Sequence, residues 1–328
     1  MQGDLQSWLA AAAGSDEEFV ERAWRLLVRR SVEPDARRRA LDGLADGTLS
    51  RASLLRDLAA SDEAGRIALL DDAVAFAAGE RRKPRAVRGP ARPRDLRAPA
   101  WSDERAIEIP WVLARHDGER RVLDVGYAFA EPAYLVGLTG LGAAELIGVD
   151  LAEREVPGLR SVVADARDLP LADGSVELAL CVSTLEHIGR DNAVYEIDAP
   201  RNETGDEAAL RELHRVLAAD GRLVVSVPTG VEDDQGWQLQ RPPQDWIALF
   251  ERCGFLVFED ELYVRGEEGW RSAGLAAASA ARYGGDDSCP GAGAVLVAEL
   301  RPRSVGERLR LALRDARHRD APRRSTLA

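Results

Sequence analysis

Three aspartates follow three short apolar runs, in an order that suits a ligand site at one edge of a sheet. Asp124 stands near the end of RRVLDVG, Asp150 ends AELIGVD and Asp165 ends RSVVAD. Short Val, Leu and Ile runs bounded by Gly, Asp or Pro are typical of parallel strands buried on both faces. The carboxyl ends of such strands lie at one edge, where an acid commonly holds the ribose hydroxyls of a nucleotide-like ligand. The pattern therefore predicts a site of this kind.

The elements that must position these acids alternate along the chain. The apolar runs VELALCVS and RLVVSVP flank ALRELHRVLAADG, whose apolar residues have helical spacing. Strands that alternate with helices predict a doubly wound, mostly parallel α/β sheet.

The first turn of this sheet has few glycines. It reads DVGYAFAE, and Gly126 is its only glycine. A dinucleotide-binding turn has the pattern G-x-G-x-x-G, because glycines let the backbone approach a pyrophosphate closely. An NAD-dependent oxidoreductase is therefore the less favoured alternative, and a cofactor without phosphate groups fits better.

Several segments resemble the class I S-adenosylmethionine-dependent methyltransferases. The first is VLDVG. The most specific is VVADARDLPLADGSVELALCVSTLEHIG, and ALRELHRVLAADG with RLVVSVP follow it. The resemblance covers about residues 105–300 and implies a Rossmann-like, seven-stranded, mostly parallel sheet. FLVFEDELYV and AGAVLVAELR would form its final hairpin, which contains a reversed strand.

The resemblance also implies S-adenosylmethionine as the cofactor and a set of residues that bind it. Asp150 would hold the ribose, Asp165 would receive the adenine amino group, and the backbone of Ala166 would contact the ring. Ala128 and Ala130 stand where the family has glycines, and alanine fits there if its φ is not positive. The predicted cofactor-binding residues are Asp124, Gly126, Ala128, Asp150, Leu151, Asp165, Ala166 and Ser183.

Methyl transfer to a hydroxyl needs an aligned acceptor and a base that removes its proton. His187, in the loop after the fourth strand, is the first candidate because its ordinary pKa lies near neutral pH. Asp191 in the same loop is the second candidate. Asp191, Glu196 and Asp198 could instead hold a hard cation, but their spacing is not diagnostic and no metal is predicted.

The acceptor is predicted to be a small molecule, a sugar or a glycan hydroxyl. No N-P-P-Y or D-P-P-Y motif follows the fourth strand, which disfavours nucleic-acid and glutamine methylation. Trp237 and Trp246, in the long polar loop after the fifth strand, could face a sugar. EIPWVL and STLEHIG resemble uncharacterised bacterial methyltransferases associated with polysaccharide genes. The alternative is a catalytically inactive domain that serves as a binding scaffold.

The first 79 residues predict an all-α accessory module. SDEEFVERAWRLLVRR begins with a Ser15 or Asp16 cap and places Phe19, Ala23, Leu26 and Leu27 on one face. The module resembles a small helical domain of unknown function, so no catalytic residue is assigned to it. The predicted boundaries are a helical module at 1–79, a basic Pro-rich linker at 80–100 with almost nothing to bury, a methyltransferase domain at 101–300 and a basic tail at 301–328.

Charge and composition narrow the choice of partners. The net charge of −12 disfavours nucleic-acid binding, and the basic residues concentrate at 81–97 and 301–324. A weak contact of these two segments with an anionic surface is the one macromolecular interaction expected. The N-terminus has no signal sequence and no window is long and apolar enough to cross a bilayer, so a cytoplasmic location is expected.

Overall fold

The computed structural model describes residues 14–83, 93–284 and 291–303. The chain divides into two compact units between Asp72 and Ala73. This boundary lies inside the helix Asp62–Arg82. The predicted boundary at residue 79 falls near the end of this same helix. Residues 84–92 of the basic linker and the tail after residue 303 lie outside the described residues, so the contact predicted for these two segments stays a prediction.

The N-terminal unit is helical. Ser15 caps the first helix through a capping box with Glu18, because its hydroxyl accepts the Glu18 N–H. Phe19 and Ala23 are fully buried, but Leu26, expected on the same face, is 39% exposed. The helices are α1 (Asp16–Leu27), α2 (Pro34–Asp46), α3 (Arg51–Ala59) and α4 (Asp62–Arg82).

The second unit contains an eight-stranded sheet with the order β3-β2-β1-β4-β5-β10-β8-β9. The five strands from β3 to β5 are parallel, and β10 is antiparallel to both β5 and β8. This confirms the predicted Rossmann-like fold with its reversed strand. The strands are β1 (Arg121–Val125), β2 (Glu145–Asp150), β3 (Arg160–Val163), β4 (Val176–Val182), β5 (Leu217–Pro228), β6 (Asp233–Asp234), β7 (Leu239–Gln240), β8 (Phe255–Gly266), β9 (Gly269–Ser272) and β10 (Ala294–Pro302).

The eighth strand, β9, was not predicted. It pairs with β8 across a tight hairpin, in which Gly269 has a φ of +103° that glycine adopts without strain. The small pair β6–β7 forms a separate ribbon after β5.

Helices cover the sheet and complete the core. Leu210, Leu213, Trp246 and Phe250 share one buried cluster with the central strands. The helices of this unit are α5 (Arg105–Leu113), α6 (Pro132–Thr139), α7 (Gly205–Val216), α8 (Pro243–Arg252) and α9 (Leu275–Ser279). Among the described residues, no helix is both long and apolar enough to span a membrane.

The end of the predicted linker is packed rather than free. The Trp270 N–H on edge strand β9 donates to the Ala98 carbonyl at 2.8 Å, and the Leu96 N–H donates to the Tyr263 hydroxyl at 3.1 Å. An edge strand leaves backbone groups unpaired, and this segment satisfies one of them. The expectation that residues up to 100 have almost nothing to bury is therefore wrong for residues 93–100.

Candidate active site

A cavity of about 210 Å³ opens at the carboxyl ends of the parallel strands. The strand order reverses between β1 and β4, and ligands of doubly wound folds bind at such a switch point. Asp124, Asp150 and Asp165 all line the cavity. The structure thus brings together the three acids that the apolar runs position.

Asp124 is the most deeply buried of the three, with 1% of its surface exposed. The Tyr134 hydroxyl on α6 donates to its Oδ2 at 2.5 Å. Burial raises the pKa of Asp124 to about 7, although the hydrogen bond from Tyr134 works in the opposite direction. A carboxyl with this pKa changes charge easily when a cation binds beside it.

Position 126 needs glycine because of its backbone conformation and because of the space around it. Its φ is +94°, and a Cβ there would lie 2.1 Å from the Thr184 Oγ1. Neither Ala128 nor Ala130 has a positive φ. Among the described residues, the non-glycine residues with a positive φ are Arg29, Asp95, Ser183 and Glu196. The condition under which alanine can replace the family's glycines is therefore met.

Two side chains from outside the loop hold it in place. The Ala128 N–H donates to Asp150 Oδ2 at 3.0 Å. Arg154 Nη1 donates to the carbonyls of Ala128 and Ala130 at 3.0 and 2.9 Å. These contacts fix the loop without further glycines. Ala128 itself does not line the cavity, so its contribution is the backbone N–H that points at Asp150.

Asp150 both lines the cavity and organises its wall. Its Oδ1 accepts the Ala152 N–H at 3.1 Å while Oδ2 holds Ala128. Burial raises its pKa above the ordinary value, and the backbone hydrogen bonds partly oppose this. Each carboxylate oxygen has two lone pairs, so both oxygens keep one for a ribose hydroxyl. Leu151 lines the cavity beside it.

Asp165 is paired with Arg167, a residue that the sequence did not single out. The guanidinium donates from Nε to both carboxylate oxygens at 2.9 Å and from Nη2 to Oδ2 at 2.6 Å. Burial would raise the pKa of Asp165, but the hydrogen bonds from Arg167 outweigh it and hold this pKa below its ordinary value. Asp165 is therefore ionised at neutral pH and only accepts hydrogen bonds. Ala166 also lines the cavity.

A buried polar cluster lies beside Ser183. The Ser183 hydroxyl donates to Glu108 Oε1 at 2.6 Å, and Arg105 Nη1 donates to Glu108 Oε2 at the same distance. Ser183 and Arg105 line the cavity. Burial raises the pKa of nearby Glu186 to about 8, and among the described residues its Oε2 has no hydrogen-bond partner. Arg105 and Glu108 were missed because their segment, RAIEIPWVL, shows no chemical motif.

His187 lies on the cavity wall, as its position after β4 predicts. Its Nδ1 is 3.0 Å from the Trp237 carbonyl oxygen, and its ring stacks on the Trp237 ring at 5.2 Å. A carbonyl only accepts, so Nδ1 carries the proton and Nε2 keeps its lone pair. Burial lowers the pKa of His187 to about 4. The ring is neutral at pH 7.

The structure does not bring Asp191 to this cavity. Its side chain is 52% exposed and its Oδ1 accepts the Ala193 N–H. The turn that follows His187 carries it to the outer surface. Trp246 is in the core, where its Nε1–H donates to the Pro228 carbonyl, so it cannot face a sugar. Within the described ranges, no cluster of three His, Cys, Asp or Glu residues could hold a metal ion.

The loop at residues 190–201, called here the cavity loop, covers one side of the cavity. Its ends meet where the Asn202 N–H donates to the Gly189 carbonyl at 2.9 Å, which is typical of an Ω-loop. Tyr195, Ile197 and Ala199 line the cavity. The Tyr195 ring also packs on the Phe129 ring of the opposite loop at 4.9 Å.

One comparison with known protein families finds a match over the strands that surround the cavity. Residues 123–225, from β1 to β5, match the family model described as a methyltransferase domain. The matched segment lies within the second unit and covers the strands that surround the cavity. The family match indicates S-adenosylmethionine as the cofactor of this domain. No curated protein matches the chain.

The chain is also similar to solved structures, at low identity. The 1,6-didemethyltoxoflavin-N1-methyltransferase of Burkholderia thailandensis, with bound S-adenosylhomocysteine, is 17% identical with a TM-score of 0.41, over 73% of this chain and 89% of that one. The YcgJ protein of Bacillus subtilis has the same identity and TM-score, over 60% and 98%. A putative methyltransferase of Haloferax volcanii, in complex with its activator Trm112, is 15% identical with a TM-score of 0.41, over 58% and 88%.

Proposed function

We propose that this protein transfers a methyl group from S-adenosylmethionine to a hydroxyl group of a sugar or a glycan-related small molecule. The observation that carries the proposal is the neutral His187 ring on the wall of the cavity lined by the three acids. When bound, S-adenosylmethionine supplies an electrophilic methyl group on a sulfonium. The residues of the chain bind it, orient the acceptor and take up one proton.

The residues present fit this cofactor. Asp165 is held as an ionised acceptor, which suits the adenine amino group, a donor. Asp150 retains lone pairs for ribose hydroxyls, and the buried Asp124 carboxyl can ionise beside a cationic methionine end. Arg105, a cation on the cavity wall, has the charge to receive a carboxylate. Charges of both signs thus line one cavity, as a zwitterionic ligand requires.

His187 has the properties of a general base for a hydroxyl. Its Nδ1–H is engaged by Trp237, which fixes the ring and leaves the Nε2 lone pair to accept the acceptor's proton. With the cofactor bound, Nε2 would take the proton of an acceptor hydroxyl as its oxygen attacked the methyl carbon, which would leave a methyl ether and S-adenosylhomocysteine as products. The low pKa of His187 makes it a weak base, but one that stays unprotonated through the whole neutral range.

The sugar assignment rests on the neighbours of His187. Trp237 stacks on its ring and is partly exposed, and the adjoining Gln235 and Asp234 are polar residues that also keep exposed surface. Aromatic faces together with polar side chains are the usual surfaces for a carbohydrate ring. We place the reaction in the cytoplasm, where S-adenosylmethionine is made.

The test is transfer of an isotope-labelled methyl group to a panel of monosaccharides and nucleotide sugars, with aliphatic amines as the comparison class. Label in an ether of a sugar supports the proposal. Label in amines alone would contradict the hydroxyl assignment while leaving a methyltransferase. Tight cofactor binding with no transfer to any acceptor would favour the scaffold alternative.

A further inference from the structure

We infer that Arg167 is a positioning residue that couples adenine recognition by Asp165 to closure of the cavity loop. The inference rests on the proposed use of S-adenosylmethionine and goes beyond it by assigning a role to a residue with no place in the predicted site. Arg167 joins two parts of the cavity wall. Its Nη2 and Nε hold Asp165, while its Nη1 donates to the Pro200 carbonyl in the cavity loop at 3.0 Å.

The hydrogen bonds at Asp165 leave room for one more donor. A carboxylate has about four lone-pair sites. Three N–H groups of Arg167 use this capacity: the backbone N–H to Oδ1, Nε–H shared between the oxygens, and Nη2–H to Oδ2. Because Nε–H is a single donor shared between the two oxygens, the carboxylate keeps capacity for one more N–H, and its 31% exposed side chain is accessible to an exocyclic amine of adenine. Arg167 thus orients the carboxylate without occupying it completely.

Pro200 is the only contact by which Arg167 reaches the cavity loop among the hydrogen bonds of the described residues. The rest of the loop is held separately, by the Gly189–Asn202 hydrogen bond, by the Asp191 N–H and Arg201, which both donate to the Gly236 carbonyl, by the Arg190–Asp234 ion pair, and by Tyr195 against Phe129. Between these points, Ile197 and Ala199 stand over the cavity close to Pro200 in sequence. A planar guanidinium can donate to a carboxylate and a carbonyl at once, because its N–H groups form a rigid fork.

The consequence is a coupling between two events. When adenine binds Asp165 it fixes the carboxylate, which fixes the Arg167 fork, and the fork then holds Pro200 and the loop over the ligand. Loss of the fork would loosen the loop even in the absence of cofactor. It would also let a bound cofactor leave faster, because the loop must open for release.

Hydrogen–deuterium exchange of the peptide spanning residues 190–201 tests the first part in the free protein. In Arg167→Gln the amides of this peptide should exchange about tenfold faster than in wild type, because local opening of the loop no longer breaks a charge-assisted hydrogen bond. Arg167→Lys keeps the charge but lacks the fork, so its loop should exchange nearly as fast as that of the glutamine variant. Arg160→Gln, which removes an exposed ion pair with Glu145 on an edge strand, is the matched control and should leave the peptide unchanged.

Stopped-flow dissociation of S-adenosylhomocysteine tests the second part. Arg167→Gln should release it about tenfold faster than wild type, the equivalent of ~1.4 kcal/mol. Arg167→Lys should fall between the two. If the wild-type protein binds S-adenosylhomocysteine, then an unchanged exchange rate of the loop peptide or an unchanged release rate in Arg167→Gln would overturn the coupling. Failure of the wild-type protein to bind the ligand would instead overturn the proposed function, and the coupling with it.

Discussion

Replacing Asp150 by alanine should weaken cofactor binding in two ways. The substitution removes the acceptors for ribose hydroxyls, and it also frees the Ala128 N–H that anchors the glycine-poor loop. A hydrogen bond to a charged group contributes ~1.5–3 kcal/mol, of which part returns when water solvates the freed groups. We therefore expect a loss of about 1–3 kcal/mol, or roughly five- to 150-fold in Kd for S-adenosylhomocysteine.

Calorimetric titration of three variants separates the two contributions. Asp150→Asn keeps a carbonyl oxygen that can accept the Ala128 N–H, so it should lose less affinity than Asp150→Ala. Glu153→Ala removes an exposed carboxylate from the same connection between β2 and β3 and should bind as wild type does. Thermal denaturation checks that every variant is folded. Wild-type affinity in folded Asp150→Ala would refute the role of Asp150 in the site.

Three further predictions follow from the geometry of the cavity. Gly126→Ala places a methyl at a φ of +94° and against Thr184, so it should lower the free energy of unfolding by about 1–3 kcal/mol and reduce S-adenosylhomocysteine binding in a titration. His187→Gln should lower kcat by about 10²- to 10⁴-fold while the Kd for S-adenosylhomocysteine stays unchanged, and equal kcat values would remove it as the base. The pKa of Asp124 is raised to about 7 in the folded state, so between its ordinary pKa near 3.8 and pH 7 the unfolded chain ionises this carboxyl first. Stability therefore falls over that range as pH rises. The melting temperature of Asp124→Asn should exceed that of wild type by a margin that widens from pH 4 to pH 7, and a constant margin would show that Asp124 does not titrate in this way.

The fold and the position of the site could be predicted because both depend on local patterns. Apolar runs specify buried strands, and an acid at the end of a run must lie at the carboxyl edge of the sheet. That rule alone places Asp124, Asp150 and Asp165 in one cavity. Gly126 could be predicted too, since the turn from β1 into α6 needs a positive φ.

Residues whose role depends on long-range contacts could not be predicted. Arg154 and Arg167 come from irregular connections, and nothing in their neighbours indicates that they reach Ala128 and Pro200. Glu108 is the one carboxylate in a helix that is apolar apart from Arg105 and Glu108, and only the fold brings it to Ser183. The sequence also could not show that Asp191 lies away from the cavity, because the distance of a residue along a loop does not reveal which side of the loop faces the cavity.

The binding of S-adenosylhomocysteine to the purified 328-residue chain, measured by isothermal titration calorimetry with NAD as the control, tests the whole interpretation. The three acids, the loop anchored by Asp150 and Arg154, and the family match all predict saturable binding of S-adenosylhomocysteine and no binding of NAD. Binding of NAD alone would show that the cavity serves a different cofactor. Binding of neither would mean that the loop with Ala128 and Ala130 does not support cofactor binding, and the methyltransferase proposal would fail.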